Sequence, residues 1–100
     1  MRREAVTARC RAAVAEYLAD SAPEMVTLIR VMEVVDTAAR ACGLKRDRHS
    51  SLWDYARYVP AGYRSQWCKR PGDSGGFVYC VPPSGLPTGW VFFNPDDWTT

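Results

Sequence analysis

The sequence predicts a single α+β domain in which a helical part precedes a small antiparallel sheet. Apolar residues recur at helical spacing over residues 1–59 and alternate at strand spacing within residues 63–93, and hydrophobic residues make up 47% of the 100 residues. A chain of this length fits one domain, and this apolar content can fill one core. We therefore expect two layers, with a helical hairpin and a short third helix packed on a three-stranded antiparallel β-meander. Residues 94–100 form a tail.

The first two helices are predicted to form an antiparallel hairpin. The first helix, over residues 2–20, carries one apolar face, made of Val6, Cys10, Val14, Tyr17 and Leu18. A capping box at Ser21 and Glu24 predicts that the second helix covers residues 22–42, and Gly43 can end it in a left-handed conformation. The short connection favours antiparallel packing.

Charged residues on the first helix are unusually placed. Arginines crowd its N-terminal end, where the helix dipole disfavours positive charge; they are Arg2, Arg3, Arg9 and Arg11. We interpret them as a solvated face, which is the usual role of such a run.

A short third helix is predicted between Ser51 and Pro60. Ser51 can cap its start, and Asp54 stands at the third position, where a carboxylate favours the free amides. Pro60 ends the helix. Trp53 falls outside its apolar face.

Three strands are predicted, over residues 63–70, 77–81 and 90–93. Matching their faces favours a register in which Trp67 lies opposite Val81 and Cys68 lies opposite Cys80. The helices should cover one face of this sheet. The other face, with Cys68, Val78 and Cys80, is then an exposed apolar patch and a candidate interaction surface.

The turn between the first two strands reads GDSGG, over residues 72–76. It resembles the segment around the nucleophilic serine of trypsin-like proteases, and Thr37-Ala38-Ala39 resembles the segment before the histidine of that family. That resemblance implies a Ser–His–Asp triad built between two β-barrels.

Several residues depart from the protease pattern. Arg40 stands where the family has its histidine, Phe77 stands where the family has a proline, and the only histidine, His49, lies in a polar basic connector. A triad is recognised by the geometry and roles of its members rather than by a sequence string. We therefore predict no catalytic residue. The glycines should shape a hairpin loop, in which Asp73 and Ser74 bond free amides.

The four cysteines are predicted to be small buried thiols. Cys68 could meet Cys80 across the hairpin, and Cys10 could meet Cys42 across the helix pair, so both pairings stay open. No pair has the C-x-x-C spacing of a zinc site, and we predict neither a metal nor a cofactor.

Charge is concentrated in the middle of the chain. Residues 45–70 hold seven basic and two acidic residues, whereas the net charge is only +2. No stretch reaches the ~20 apolar residues that a membrane span needs, and no secretory signal is visible. We expect a cytoplasmic protein without a membrane partner.

Two functions fit these observations. The first is a small non-catalytic regulatory protein that occludes a surface of a larger protein partner, such as a phage- or plasmid-type inhibitor of a nucleic-acid-processing complex. The alternative is a nucleic-acid-binding module, in which residues 45–70 contact phosphates and stack rings on bases. A homodimer also remains open. The candidate partner-binding residues are Arg46, Arg48, Arg57, Arg64, Lys69, Arg70, Phe93 and Trp98.

Overall fold

The computed structural model describes residues 2–21, 24–44 and 51–97. Within them, helices and a four-stranded antiparallel sheet make an α+β fold, which confirms the predicted class. In chain order, the elements are α1 (Arg3–Asp20), β1 (Val26–Thr27), α2 (Leu28–Ala41), the 3₁₀ helix Leu52–Tyr58, β2 (Arg64–Lys69), β3 (Phe77–Val81), β4 (Val91–Phe92) and a short 3₁₀ turn at Pro95–Asp97.

The two α-helices form the predicted antiparallel pair. The C-terminal end of α1 and the N-terminal end of α2 border one groove, and the opposite ends border another. Between them lies the main core, which includes Val14, Leu28 and Val31, none of them accessible to solvent. Tyr17, expected on this buried face, is instead exposed. Gly43 ends α2 as predicted, with φ of +86° and a hydrogen bond from the Leu44 N–H to the Ala39 carbonyl.

The predicted start of the second helix is wrong. Val26 and Thr27 form β1, in which Val26 lies opposite Cys80 of β3. Helix α2 begins after Thr27, whose Oγ1 accepts a hydrogen bond from the Arg30 N–H at 3.2 Å. Ser21 instead donates its hydroxyl to the Tyr17 carbonyl at 2.7 Å. The sheet offers backbone partners to this segment, and burial of Val26 against it overrides the helical pattern.

The 3₁₀ helix confirms the predicted third helix and its cap. The Ser51 N–H donates to Asp54 Oδ2 at 2.9 Å. The hydroxyl of buried Tyr55 donates a hydrogen bond to Asp36 Oδ1 of α2, also at 2.9 Å. This bond fixes the 3₁₀ helix against the pair of α-helices.

The sheet has the order β1-β3-β2-β4, so it is not a meander. The last strand crosses over to pair with β2, and Phe92 lies opposite Cys68. The predicted register is also wrong, because Cys68 lies opposite Phe77 and Ser65 lies opposite Cys80. The observed register pairs all five residues of β3 with β2 and places Val78 opposite Trp67, where Val78 is buried, so that more backbone groups are paired and more apolar surface is covered.

This shift of three residues reverses the faces of β2 relative to β3. Trp67, Val78 and Cys80 pack with the helical core, whereas Cys68 and Tyr79 face away from it.

The second face of the sheet is covered, contrary to expectation. Cys68, Tyr79 and Val81 form a second small core with Met25 and with two residues of the loop after β3, Leu86 and Trp90. The Tyr79 and Trp90 rings meet edge to face, with their centroids 4.8 Å apart. The predicted exposed patch of Cys68, Val78 and Cys80 is therefore absent, because this loop supplies apolar cover and the register sends Val78 and Cys80 inward.

Candidate partner-binding grooves

The GDSGG segment is a hairpin loop. Gly72 has φ of +87°, and the Asp73 N–H donates to the Arg70 carbonyl at 3.1 Å. The Asp73 carboxylate does not bond loop amides as predicted but pairs with the Arg70 guanidinium, with Nε–Oδ2 and Nη2–Oδ1 distances of 3.3 Å. Ser74 is exposed, and its hydroxyl has no hydrogen-bond partner among the described residues. His49 lies outside those residues.

Gly76 is required by a close approach rather than by its backbone angles. A Cβ at this position would lie 2.6 Å from Phe93 Cγ and 2.9 Å from the Cys68 carbonyl oxygen. Phe93 also donates its N–H to the Trp67 carbonyl at 3.1 Å, and the two rings are in contact with centroids 6.1 Å apart. Phe93 is thus fixed between β2 and the hairpin loop.

These residues border a groove of about 660 Å³ between the hairpin loop and the helical layer, here called the apolar groove. The apolar side chains that line it are Ile29, Leu52, Trp53, Trp67, Phe77, Val78, Phe93 and Pro95. Ile29 of α2 is 44% exposed and Trp53 of the 3₁₀ helix is 47% exposed. Phe77 of β3, which is 51% exposed, also lines the groove. Three large apolar side chains thus stand in solvent around an apolar depression, an arrangement typical of interaction sites.

A second groove, of about 380 Å³, lies against the other side of the 3₁₀ helix and is here called the arginine groove. Arg3 and Arg11 of α1 and Arg57 of the 3₁₀ helix line it, and all three are exposed. The Arg57 guanidinium lies over the Tyr58 ring, with Cζ 5.1 Å from the centroid. It also donates from Nη2 to the Tyr58 hydroxyl at 3.2 Å.

Two carboxylates also line the arginine groove, and both are already engaged. Asp36 accepts the hydrogen bond from the Tyr55 hydroxyl, and Asp54 accepts the one from the Ser51 N–H. These contacts hold the acids as parts of the scaffold.

The structure separates the predicted binding residues. Arg57 lines the arginine groove, while Arg70 and Phe93 line the apolar groove. Arg64 and Lys69 lie on β2 and line neither groove. The remaining predicted residues, Arg46, Arg48 and Trp98, lie outside the described residues.

Sequence reasoning missed Ile29, Trp53, Arg3 and Arg11 as groove residues. The sequence carried a signal for Trp53 and for the two arginines but none for Ile29. Trp53 does not fit the apolar face of its helix, and the arginines of α1 stand at the end that the helix dipole disfavours.

The four cysteines are free thiols. Cys68 and Cys80 lie on opposite faces of the sheet, which excludes a disulfide between them. Burial raises the pKa of Cys80 to about 12 and also raises the pKa of Cys10 and of Cys68. These thiols stay protonated at neutral pH, which makes them poor nucleophiles and poor metal ligands. Within residues 2–21, 24–44 and 51–97, no group of three or more His, Cys, Asp or Glu residues could hold a metal ion.

Comparisons of the chain with protein-family models, with curated proteins and with solved structures found no match. In the part of the chain that the structure describes, no helix combines the length and the apolar character needed to cross a bilayer.

Proposed function

We propose that this protein is a non-catalytic binding protein that covers a surface of a larger protein partner through its apolar groove. The observation that carries the proposal is the pair of exposed side chains, Ile29 and Trp53, beside a groove that Trp67 and Phe93 also line. Tryptophan is enriched among the residues that dominate binding energy at protein interfaces.

The groove is built to keep its shape. Phe93 is held by the Trp67 carbonyl and by contact with Gly76, and the 3₁₀ helix that carries Trp53 is capped and tied to α2. A partner therefore loses little free energy in ordering these side chains when it binds. Full burial of a fully exposed large apolar side chain contributes roughly 1.5–3 kcal/mol. Since about half of Trp53 and of Ile29 is already buried, covering the rest of both would add roughly 1.5–3 kcal/mol in total, out of the ~8 kcal/mol of a micromolar affinity.

The narrower form of the proposal is a cytoplasmic inhibitor, of phage or plasmid type, of a nucleic-acid-processing complex. It rests on the small size of the chain and on the lack of a catalytic, cofactor or metal motif in its sequence. Direct nucleic-acid binding is the alternative. Protein binding is favoured because Arg57 and Arg70 line different grooves and because Arg70 is already paired with Asp73.

Comparative capture tests the proposal. Immobilised wild-type protein, Trp53→Ser and the control Tyr17→Ser are incubated with nuclease-treated lysate of the source cells. Tyr17 is also an exposed aromatic residue but does not line the apolar groove. We expect a protein that wild type and Tyr17→Ser retain equally and that Trp53→Ser retains about tenfold less, since loss of an interface tryptophan costs about 1.4 kcal/mol or more.

Circular dichroism and thermal unfolding first establish that both variants fold. Equal retention of every captured protein by Trp53→Ser would overturn the proposal. Capture that disappears on nuclease treatment would assign the function to nucleic-acid binding instead.

A further inference from the structure

We infer that the arginine groove is a docking site for an extended acidic segment of a partner protein, with Arg3, Arg11 and Arg57 as the residues that receive its carboxylates. This surface is separate from the apolar groove, and the inference adds the chemistry of a second contact to the proposed function.

The charge balance of the groove supports an anionic ligand. Arg3, Arg11 and Arg57 have no carboxylate partner among the described residues. Elsewhere, by contrast, the Arg30 guanidinium pairs with Glu33 at 2.9 Å and that of Arg70 pairs with Asp73 at 3.3 Å. The acids inside the groove, Asp36 and Asp54, are engaged by a tyrosine hydroxyl and a backbone amide. Both acids keep their charge, but the three arginines outnumber them, so the lining of the groove carries a net positive charge.

Arg57 is also oriented for such a ligand. Its contact with the Tyr58 ring and hydroxyl fixes the plane of the guanidinium but uses only one of its five N–H donors. The remaining edge can bind a carboxylate through two parallel hydrogen bonds. Because Tyr58 already restricts this side chain, little of its conformational entropy is lost on binding.

The spacing of the arginines indicates an extended ligand. Arg3 and Arg11 are eight residues apart on α1, which separates their Cα atoms by ~12 Å along the helix. In an extended chain, acidic residues four positions apart span a similar distance, ~13 Å. An extended segment can thus present carboxylates to both Arg3 and Arg11 with only three residues between them, whereas a helical ligand would need eight positions to cover the same distance.

The groove favours carboxylates of a protein over phosphates of a single-stranded nucleic acid. Such nucleic acids need exposed ring faces on which bases stack. In this groove, Tyr55 is buried and a face of the Tyr58 ring is covered by the Arg57 guanidinium. Leu44, which is 46% exposed, borders the groove and offers apolar contact to a side chain between two acidic residues.

A peptide titration tests the inference. The probe is a labelled synthetic peptide of about twelve residues, with glutamates four positions apart and a leucine between them. Its fluorescence anisotropy is followed with wild type, with Arg11→Gln/Arg57→Gln and with the control Arg9→Gln/Arg64→Gln. The control removes the same charge from exposed residues that do not line the groove.

We expect the groove variant to raise the Kd about tenfold and the control to change it less than twofold. Arg57→Lys should also weaken binding, because an ammonium keeps the charge but cannot form the bidentate contact. The same peptide with glutamine in place of glutamate should not bind.

Equal losses in the groove variant and the control would mean that only net charge matters and would overturn the inference. Absence of binding to wild type would overturn it as well. Tighter binding of a single-stranded oligothymidylate than of the peptide, lost in Arg11→Gln/Arg57→Gln, would assign the groove to nucleic acid. The titration contains no other partner, so its outcome is independent of whether the apolar groove binds a protein.

Discussion

The Phe93 N–H donates a hydrogen bond to the Trp67 carbonyl oxygen at 3.1 Å. This bond extends the pairing of β4 with β2 by one residue and sets the Phe93 ring against Trp67, with a centroid distance of 6.1 Å. The crossover that brings β4 beside β2 thus completes the apolar groove. Without it, the Trp67 ring would lack its contact with Phe93.

Gly76→Ala should destabilise the protein by about 1–3 kcal/mol, because the added Cβ would overlap the Phe93 ring and approach the Cys68 carbonyl. The free energy of unfolding in urea measures this loss. Tryptophan fluorescence should shift as well, since displacement of Phe93 changes the surroundings of Trp67.

Ser74→Ala is the matched control for that substitution, in the same loop. Ser74 is exposed and makes no hydrogen bond within the described residues, so its free energy of unfolding should change by less than about 0.5 kcal/mol. If instead the wild-type protein hydrolysed a substrate and Ser74→Ala abolished that activity, the interpretation of GDSGG as a structural loop would be wrong.

Because α2 begins after Thr27, removal of the Thr27 hydroxyl and removal of the Ser21 hydroxyl should have different effects on stability. Thr27→Ala should cost about 1 kcal/mol, because Thr27 Oγ1 caps the Arg30 N–H. Ser21→Ala should cost less, because Ser21 donates to a carbonyl at the end of α1 and caps no amide of α2. Urea unfolding of the two variants compares them directly. A larger loss of stability for Ser21→Ala than for Thr27→Ala would contradict the observed start of α2 and would support a helix that begins near Ser21.

The stability of the protein should fall at alkaline pH because of Cys80. Burial raises its folded-state pKa from 9.0 to about 12, whereas in the unfolded chain the thiol ionises near its ordinary value. Between these two values the unfolded state binds fewer protons than the folded state, so the free energy of unfolding decreases by about 1.4 kcal/mol per pH unit. Well below pH 9 the Cys80 thiol is protonated in both states, so its contribution to the free energy of unfolding is fully present and does not change with pH.

The measurement is urea unfolding at several pH values between 8 and 11, within that window. Cys80→Ala should lower stability below pH 9 and should reduce the slope above pH 9 by about 1.4 kcal/mol per pH unit, leaving the part due to the buried thiols of Cys10 and Cys68. Native-state alkylation near neutral pH gives an independent check, in which the half-buried Cys42 should react well before buried Cys80. A slope that persists unchanged in Cys80→Ala would assign the effect to other groups.

Local features of the fold could be predicted from the sequence. The cap at Ser51 and the left-handed Gly43 depend on neighbours within a few residues, so local patterns suffice. The position of β1 could not be predicted, because Val26 and Thr27 become a strand only through β3, more than fifty residues later in the chain. The crossover of β4 and the register of β2 are likewise long-range choices, determined by which pairing buries Val78 and lets Phe93 reach Gly76.

The two candidate grooves also combine features that local sequence predicts with features that depend on long-range packing. The basic character of the middle segment is a property of composition, and Arg57 and Arg70 could be chosen from it. Their separation into two grooves follows from the packing of the 3₁₀ helix against α1 and α2, which no local pattern encodes. The contribution of Arg3 and Arg11 depends on that same packing.

The 3₁₀ helix Leu52–Tyr58 is a wall shared by the two grooves, with Trp53 on one side and Arg57 on the other. A single polypeptide with an apolar anchor and an acidic stretch a short distance apart would contact both sides of this wall. Its second contact would then form at a high effective concentration, and the avidity of the pair would exceed either affinity by ~10²–10⁴. Proteins with only one of the two features would be discriminated against, so a chain of 100 residues can be selective without a large interface.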